Sequence, residues 1–313
     1  MIDTLYIVYT ALAAAAVALL LAGRAAGMLR ARRRANDLAT LGQRYLRLTM
    51  LALEGEDSVP RFPELSRPGA RLLLARTLSG VLAATYGLDA EPLRRIVRAY
   101  DLDGWLLRRA RRARGYDRAR YLALLAMLPV APRTVRQTER YLRSSHRAVA
   151  FQALMIRITA QPETALRAMA AYPRAFTAAE VARILAELRR GVLPVAYEPL
   201  LRAPQSNLRR VGLGIVREFA VEEAEPYLLR LVAEESSEEL ACEALHALCS
   251  LRRPLDGRGV SERVASMERA GRRALLRRMA REAYGAGALR PLLDASERPY
   301  YESLVASYKC ALA

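Results

Sequence analysis

Lysine is almost absent from this chain: Lys309 is the single one among 50 basic residues, and arginine supplies the rest. Aromatic residues are scarce as well, at 6% with one tryptophan. Strands draw on aromatic and β-branched side chains, so this scarcity argues against sheets, and the abundance of Ala, Leu and Arg is that of packed helices. Cysteine occurs at positions 242, 249 and 310 only, an odd count without disulfide-like spacing, as expected of a reducing compartment. HExxH, Walker A, GxSxG and Rossmann fingerprints are missing, and the two histidines, His146 and His246, have no obvious acid or nucleophile partner. No catalytic residue, metal or cofactor is therefore expected.

What is present is an all-α chain of 313 residues, 53% hydrophobic, long enough for one large or two ordinary domains. Its formal net charge is +18. Two readings of the arginines stay open on composition: bidentate binding of phosphate or carboxylate, or the codon usage of a GC-rich genome.

From Leu5 to Ala22 no charged residue occurs, and the apolar tract continues past Arg24 to Leu29. That length suffices to span a hydrocarbon core of roughly 30 Å. A signal peptide fails on its flanks, because Asp3 rather than a basic cluster precedes the tract and no clean small-x-small cleavage site follows. Arg24, Arg30, Arg32, Arg33 and Arg34 all lie on the C-terminal side, which places the N-terminus outside and the body in the cytoplasm. Residues 1–30 are thus expected to be a single transmembrane anchor. Leu38, Leu41, Tyr45, Leu48 and Ala52 keep one apolar seam at 3-4-3-4 spacing, so residues 31–54 read as a stalk helix that packs on the chain's own next helices. The stretch "EGEDSVPRFPELSRPG" at 54–69 carries three prolines and breaks the helix, which makes 55–70 a linker and 71–313 the body.

The body reads as a succession of helices of about 10 to 17 residues. Gly87, Gly115 and Gly191 fall where C-terminal caps are needed, and Asp89, Asp117, Ser144, Thr177 and Ser206 where N-caps are. The chain also resembles itself. "ALLAM" at 123, "AFQAL" at 150, "GLGIV" at 212 and "ALHAL" at 244 share a small, large, any, apolar, apolar pattern, each six residues after Asp117, Ser144, Ser206 or Glu238. The offsets are 27, 62 and 32, so the long one holds two units of about 31, with "TAAEVARILAEL" at 177–188 in the gap. Second helices follow in "PETALRAMAAY", "LPVAYEPLLRA" and "EAEPYLLRLVAEE". Paired helices at a period near 30 are the signature of a solenoid, since no pair buries its apolar face alone.

Residues 206–251, "SNLRRVGLGIVREFAVEEAEPYLLRLVAEESSEELACEALHALCSL", resemble the short bacterial HEAT repeats, also found in lyase-like proteins, in which a polar helix start leads to an R-x-x-A-L-like core and the second helix carries P-x-L-x-x-L. Pro226 to Leu231 match that second helix, and the resemblance extends over residues 117–251. It implies a HEAT-like α-solenoid of stacked helix pairs behind the transmembrane helix, anchored in a bacterial inner membrane. Membrane-anchored proteins of this kind resemble accessory subunits of envelope machinery, including polysaccharide glycosyltransferases. HEAT-like folds also include nucleic-acid binders, DNA glycosylases and bilin lyases, which is the alternative reading.

Charge is uneven. A basic candidate surface comprises Arg94, Arg95, Arg98, Arg108, Arg109, Arg111, Arg112 and Arg114, near Trp105, Tyr100, Tyr116 and Tyr121. It reads as a solvated face, as an attachment to anionic lipid headgroups or an acidic membrane partner, or, less favoured, as a nucleic-acid contact. An acidic candidate surface comprises Glu218, Glu222, Glu223, Glu225, Glu234 and Glu235. The expected partner is a membrane-associated protein. Cys242, His246 and Cys249 share a helix face at i, i+4 and i+7, a spacing that suits a zinc site but also a core stripe, and burial is the expectation. The terminal "CALA" is formally a prenylation box on Cys310, a four-residue pattern with little meaning behind an N-terminal anchor.

Overall fold

The computed structural model describes Arg24, Met28 and residues 35–54, 59–67, 69–85, 90–190, 196–251, 255, 257–282, 285, 289 and 292–312. Among these residues the chain is helical and contains no strand. No described helix is long and apolar enough to cross a membrane. The tract at 5–29 expected to do so lies outside the described residues except for Arg24 and Met28, as do Gly87, Asp89 and Gly191. The chain divides into two compact units, 1–134 and 135–313, so the division falls well inside the body expected at 71–313.

The first unit holds α1 (residues 35–53), α2 (Ala70–Ala84), α3 (Glu91–Ala99), α4 (Leu102–Arg112) and α5 (Gly115–Met127). Along α1, Leu41, Tyr45, Thr49 and Ala52 are buried, whereas Leu38, at the start of the expected seam, is 39% exposed. The seam closes on the chain's own proline-rich segment. Tyr45 meets Phe62 edge to face at 5.3 Å, and Phe62 meets Tyr100 in the same way at 5.6 Å. The Tyr45 hydroxyl donates to the Pro63 carbonyl at 2.6 Å and the Tyr100 hydroxyl to that of Pro60 at 2.8 Å. Residues 59–67 of the stretch expected as a linker are thus irregular but pinned at Pro60 and Pro63, because the hydroxyls of buried Tyr45 and half-buried Tyr100 need acceptors that these carbonyls supply.

Gly115 does not close a helix as expected. It opens α5 at φ 48°, and the C-terminal carbonyls of α4 are capped instead by Arg118, whose Nε donates to Ala110 and Ala113 at 3.0 Å. The buried Asp103 carboxylate accepts from the Thr134 hydroxyl at 2.7 Å and the Ala131 N–H at 3.3 Å. Helix α6 (Pro132–Thr138) runs across the division between the units.

The second unit continues with α7 (Arg147–Ala160), α8 (Ala165–Ala170), α9 (Ala178–Arg189), α10 (Tyr197–Leu201), α11 (Ser206–Phe219), α12 (Glu225–Glu234), α13 (Glu238–Ser250), α14 (Arg258–Ser266), α15 (Arg269–Arg281) and α16 (Arg298–Leu312). Helices α7, α9, α11, α13 and α15 form one row, each packed on the next. Their starts are 31, 28, 32 and 31 residues apart, the period read from the sequence. On that row α8 packs against α7 and α11, α10 against α11, α12 against α13 and α16 against α15, while α14 packs on α12. The arrangement is a helical repeat of stacked pairs.

The small residue of the repeated motif explains the close stacking. Ala150, Gly212 and Ala244 are buried in the row. A Cβ at Gly212 would lie 3.0 Å from that of Leu200 and 3.2 Å from the Leu201 nitrogen, so glycine lets α10 and α11 touch through backbone. The apolar residues that follow fill the core: Leu213, Val216, Leu228, Leu245, Leu248 and Leu276 are almost fully buried, at roughly 1.5–3 kcal/mol each. Of the expected N-caps, Thr177 forms a capping box with Glu180. Ser206 is the first helical residue behind Gln205, Asp117 lies in the first turn of α5, and Ser144 accepts the His146 N–H at 3.3 Å, leaving the cap position of α7 to His146.

Candidate functional site

Arginine links successive repeats of the second unit. At the start of α7, Arg147 donates to the Glu180 carboxylate at 2.9 and 2.5 Å and to the Ala175 carbonyl, spanning 33 residues in the first contact. Arg174 reaches back 30 residues to the Ser144 carbonyl at 2.7 Å, and Arg263 reaches back 31 to Val232 at 2.8 Å. Asn207 accepts the Phe176 N–H at 2.9 Å across 31 residues. Each span is about one period, so the same sites recur because each repeat leaves helix-end carbonyls that the next must satisfy.

Arg210 is the most enclosed member, 5% exposed. It donates to Glu239 at 3.1 and 2.5 Å, to Glu243 at 2.8 Å and to the Phe176 carbonyl at 3.3 Å. The two carboxylates respond differently: hydrogen bonding from Arg210 holds Glu239 below the ordinary carboxylate range, whereas burial pushes Glu243 up. At Glu180 burial raises the pKa, but the bonds from Arg147 and Thr177 more than offset it and leave the carboxylate lowered.

Beside Arg210 lies a cleft of about 340 Å³ between α9, α11, α13 and α15. Val181, Leu185 and Leu213 supply its apolar wall, and Arg210, Arg217, Arg278, Glu218 and Glu243 its charges. Arg217 donates to Glu282 at 3.2 Å, and Glu218 pairs with Arg189. Arg278 is half-buried, with Arg217 opposing its charge and Glu282 and Glu243 favouring it. Sequence reasoning missed this cleft and the ladder. The signal was there in basic and acidic residues about 30 apart, which reads as surface charge until the period is applied to polar positions as well as apolar ones.

The acidic candidates are only partly a surface. Glu222 and Glu223 are exposed in a 3-10 turn ahead of α12, Glu234 is exposed near its end, Glu218 is exposed in its pair with Arg189, and Glu225 is half-buried. Glu235 belongs inside: it is 6% exposed, paired with Arg209, and accepts the Ser237 N–H at 3.0 Å. Among the basic candidates, Arg94, Arg98, Arg108, Arg109, Arg111, Arg112 and Arg114 are exposed and Arg95 is half-buried. Arg94 pairs with Glu91 and Arg108 with Asp101, while Arg109 lies over the Trp105 ring at 5.4 Å. The acidic and basic groups fall in different units.

Cys242, His246 and Cys249 lie on α13, and burial pushes the two thiols up to about 11 and about 12. At neutral pH this favours the thiol over the nucleophilic thiolate at half-buried Cys242 and buried Cys249. No group of three metal-ligating side chains occurs among the described residues. The Cys310 side chain lies outside them.

No protein-family model, curated protein or solved structure matches this chain.

Proposed function

We propose that this protein is a HEAT-like repeat scaffold, anchored by residues 1–30 in a bacterial inner membrane with its body in the cytoplasm, that binds a membrane-associated protein partner. The observation that carries the reading is the regular row of α7, α9, α11, α13 and α15, clamped one period at a time, since stacked repeats of this kind present extended surfaces for partners. The uncharged tract at 5–22 and the arginines behind it support the address. Exposed Glu222 and Glu223 on one unit and Arg98, Arg109 and Arg112 on the other supply charged faces of opposite sign. An accessory role beside an envelope glycosyltransferase follows from the family resemblance.

The test is recovery of tagged full-length protein from native membranes in mild detergent. Charge reversal at Glu222, Glu223 and Glu225 is compared with reversal at Arg108, Arg109, Arg111 and Arg112. A membrane protein co-purifying in fixed ratio, and lost with one reversal only, supports the scaffold and locates its face. Recovery of nothing beyond lipid or nucleic acid sinks it.

A further inference from the structure

We propose that the exposed face of α15 docks on the anionic headgroup layer of the membrane that holds the chain, through Arg269, Arg273, Arg277 and Arg281. The contact rests on the anchor reading above and adds a second, electrostatic attachment within the second unit.

Helix α15 stands apart from its row in charge. Helices α9 and α11 carry glutamate beside arginine and α13 carries three glutamates, whereas "RAGRRALLRRMAR" has six arginines and no acidic residue. Two of the six are met from within the fold. Arg272 donates to Glu297 at 3.1 and 2.7 Å and to the Leu292 carbonyl at 2.8 Å, and Glu282 and Glu243 favour the charge on Arg278. The other four recur at every fourth residue, all exposed, and none has a carboxylate partner among the described residues.

Local stability does not account for this stripe. Like charges four residues apart repel along a helix, and a cation in the first turn, where Arg269 stands, opposes the helix dipole. Leu275, Leu276, Met279 and Ala280 bury the opposite side of the helix, so the four arginines are not needed for packing. The stripe advances about 6 Å per arginine and about 18 Å in all, a row of charge that an anionic surface meets along its length.

What lies between the arginines selects the partner. The rest of the exposed face is Ala270 and Ala274. A protein interface is anchored by aromatic or large apolar side chains, and none is exposed on α15. Single-stranded nucleic acid needs aromatic platforms, but the neighbouring Tyr300 ring is half-buried with Arg273 over it at 5.6 Å. A duplex groove takes in a whole helix, while α15 is packed on α13 and α16 and offers one face. A headgroup layer requires only unpaired cations within reach. With no large apolar residue to insert, the contact is electrostatic and therefore sensitive to salt.

The experiment uses the full-length protein reconstituted into vesicles of phosphatidylcholine, alone or with about one third phosphatidylglycerol. Phenylglyoxal modification of each arginine is followed by peptide mass spectrometry. At low salt, Arg273 and Arg277 are expected to react about fivefold more slowly in the anionic vesicles, and Arg167, exposed on α8, to change by less than about twofold. About 0.5 M salt should abolish the difference. In the Arg269→Gln/Arg281→Gln double variant, which alters exposed side chains only, protection of Arg273 should fall below about twofold. Equal rates in the two kinds of vesicle, protection that survives salt or the double substitution, or protection shared by Arg167 overturns the proposal. So does protection of Arg273 by a duplex oligonucleotide in neutral vesicles with none from phosphatidylglycerol, which would assign the face to nucleic acid. Flotation with neutral vesicles in high salt reads the anchor separately. A chain that floats with anionic vesicles alone, is released by salt and still shows protected Arg273 has lost the anchor and kept the α15 contact; a chain that floats with neither loses both.

Discussion

Arginine does different work in the two units. In the first, Arg94 on α3 and Arg108 on α4 stand in solvent, and their ion pairs are local: Arg94 with Glu91 one turn away, Arg108 with Asp101. In the second, Arg147, Arg174, Arg210 and Arg263 each bridge about one repeat. Exposed pairs add about 0–1 kcal/mol, while a buried charge that also satisfies helix-end carbonyls is expensive to remove. What separates the two groups is where each arginine falls relative to the repeat. Composition cannot show this, and the same residue type that gives one unit a charged surface gives the other its cohesion.

The contrast is broken most directly at Arg210. Replacing it with alanine leaves the Phe176 carbonyl without this donor and takes from Glu239 and Glu243 the guanidinium that bonds them both. A loss of about 3 kcal/mol is expected from urea unfolding. A loss below about 0.5 kcal/mol, the usual range for surface substitutions, would mean that the ladder adds no cohesion.

Much of the second unit was legible in advance because the apolar pattern and the stacking follow one rule. "GLGIV" and "ALHAL" mark α11 and α13, and "PYLLRL" marks α12, since a small residue is needed wherever two helices approach. Thr177 was legible as a cap for a local reason, a hydroxyl three residues before a glutamate. Glu235 was not: its burial depends on Arg209, distant in sequence, and nothing nearby distinguishes it from exposed Glu234. Gly115 misled because a glycine after an arginine-rich helix resembles a cap, whereas Arg118 does the capping from the next turn. The cleft was hidden because its walls come from four repeats.

Burial of His246, with Arg278 and Arg217 nearby, should also appear as pH sensitivity in the second unit. His246 takes up a proton near 6.5 when unfolded and only near 3 when folded. Between those values the unfolded chain binds more protons, so stability present above about pH 6.5 is lost as pH falls toward 3. His246→Leu removes this slope and relieves two unpaired nitrogens, for an expected gain of about 1–2 kcal/mol at neutral pH. Melting of both proteins at pH 7 and pH 5 checks it, a window above the range in which the lowered Glu180 and Glu239 titrate, with the raised Glu243 common to both and cancelling in the difference. An unchanged slope in the variant would assign the sensitivity elsewhere.

A smaller loss is expected at the capping box. Thr177→Ala removes the acceptor for the Glu180 N–H, at about 1 kcal/mol, and leaves the Arg147 pair in place. Combined with Arg147→Ala, it should cost measurably more or less than the sum of the single losses, because both partners meet at the Glu180 carboxylate; strict additivity would show that cap and clamp act separately.

The smallest effects belong to the basic surface. Arg98 and Arg112 occupy the last turns of α3 and α4, and Arg114 precedes α5; all three are exposed and without an ion pair among the described residues. A cation in a last turn gains a few tenths of a kcal/mol from the helix dipole, so each alanine substitution should shift unfolding by less than about 0.5 kcal/mol. Arg118, only a few residues further on, should cost about 1 kcal/mol, because its Nε caps two carbonyls of α4. Denaturation of the four variants side by side would separate the two kinds of arginine within the stretch from α3 to α5. If Arg112→Ala proved as costly as Arg118→Ala, the exposed block would be a clamp as well, and the difference between the units would be one of degree.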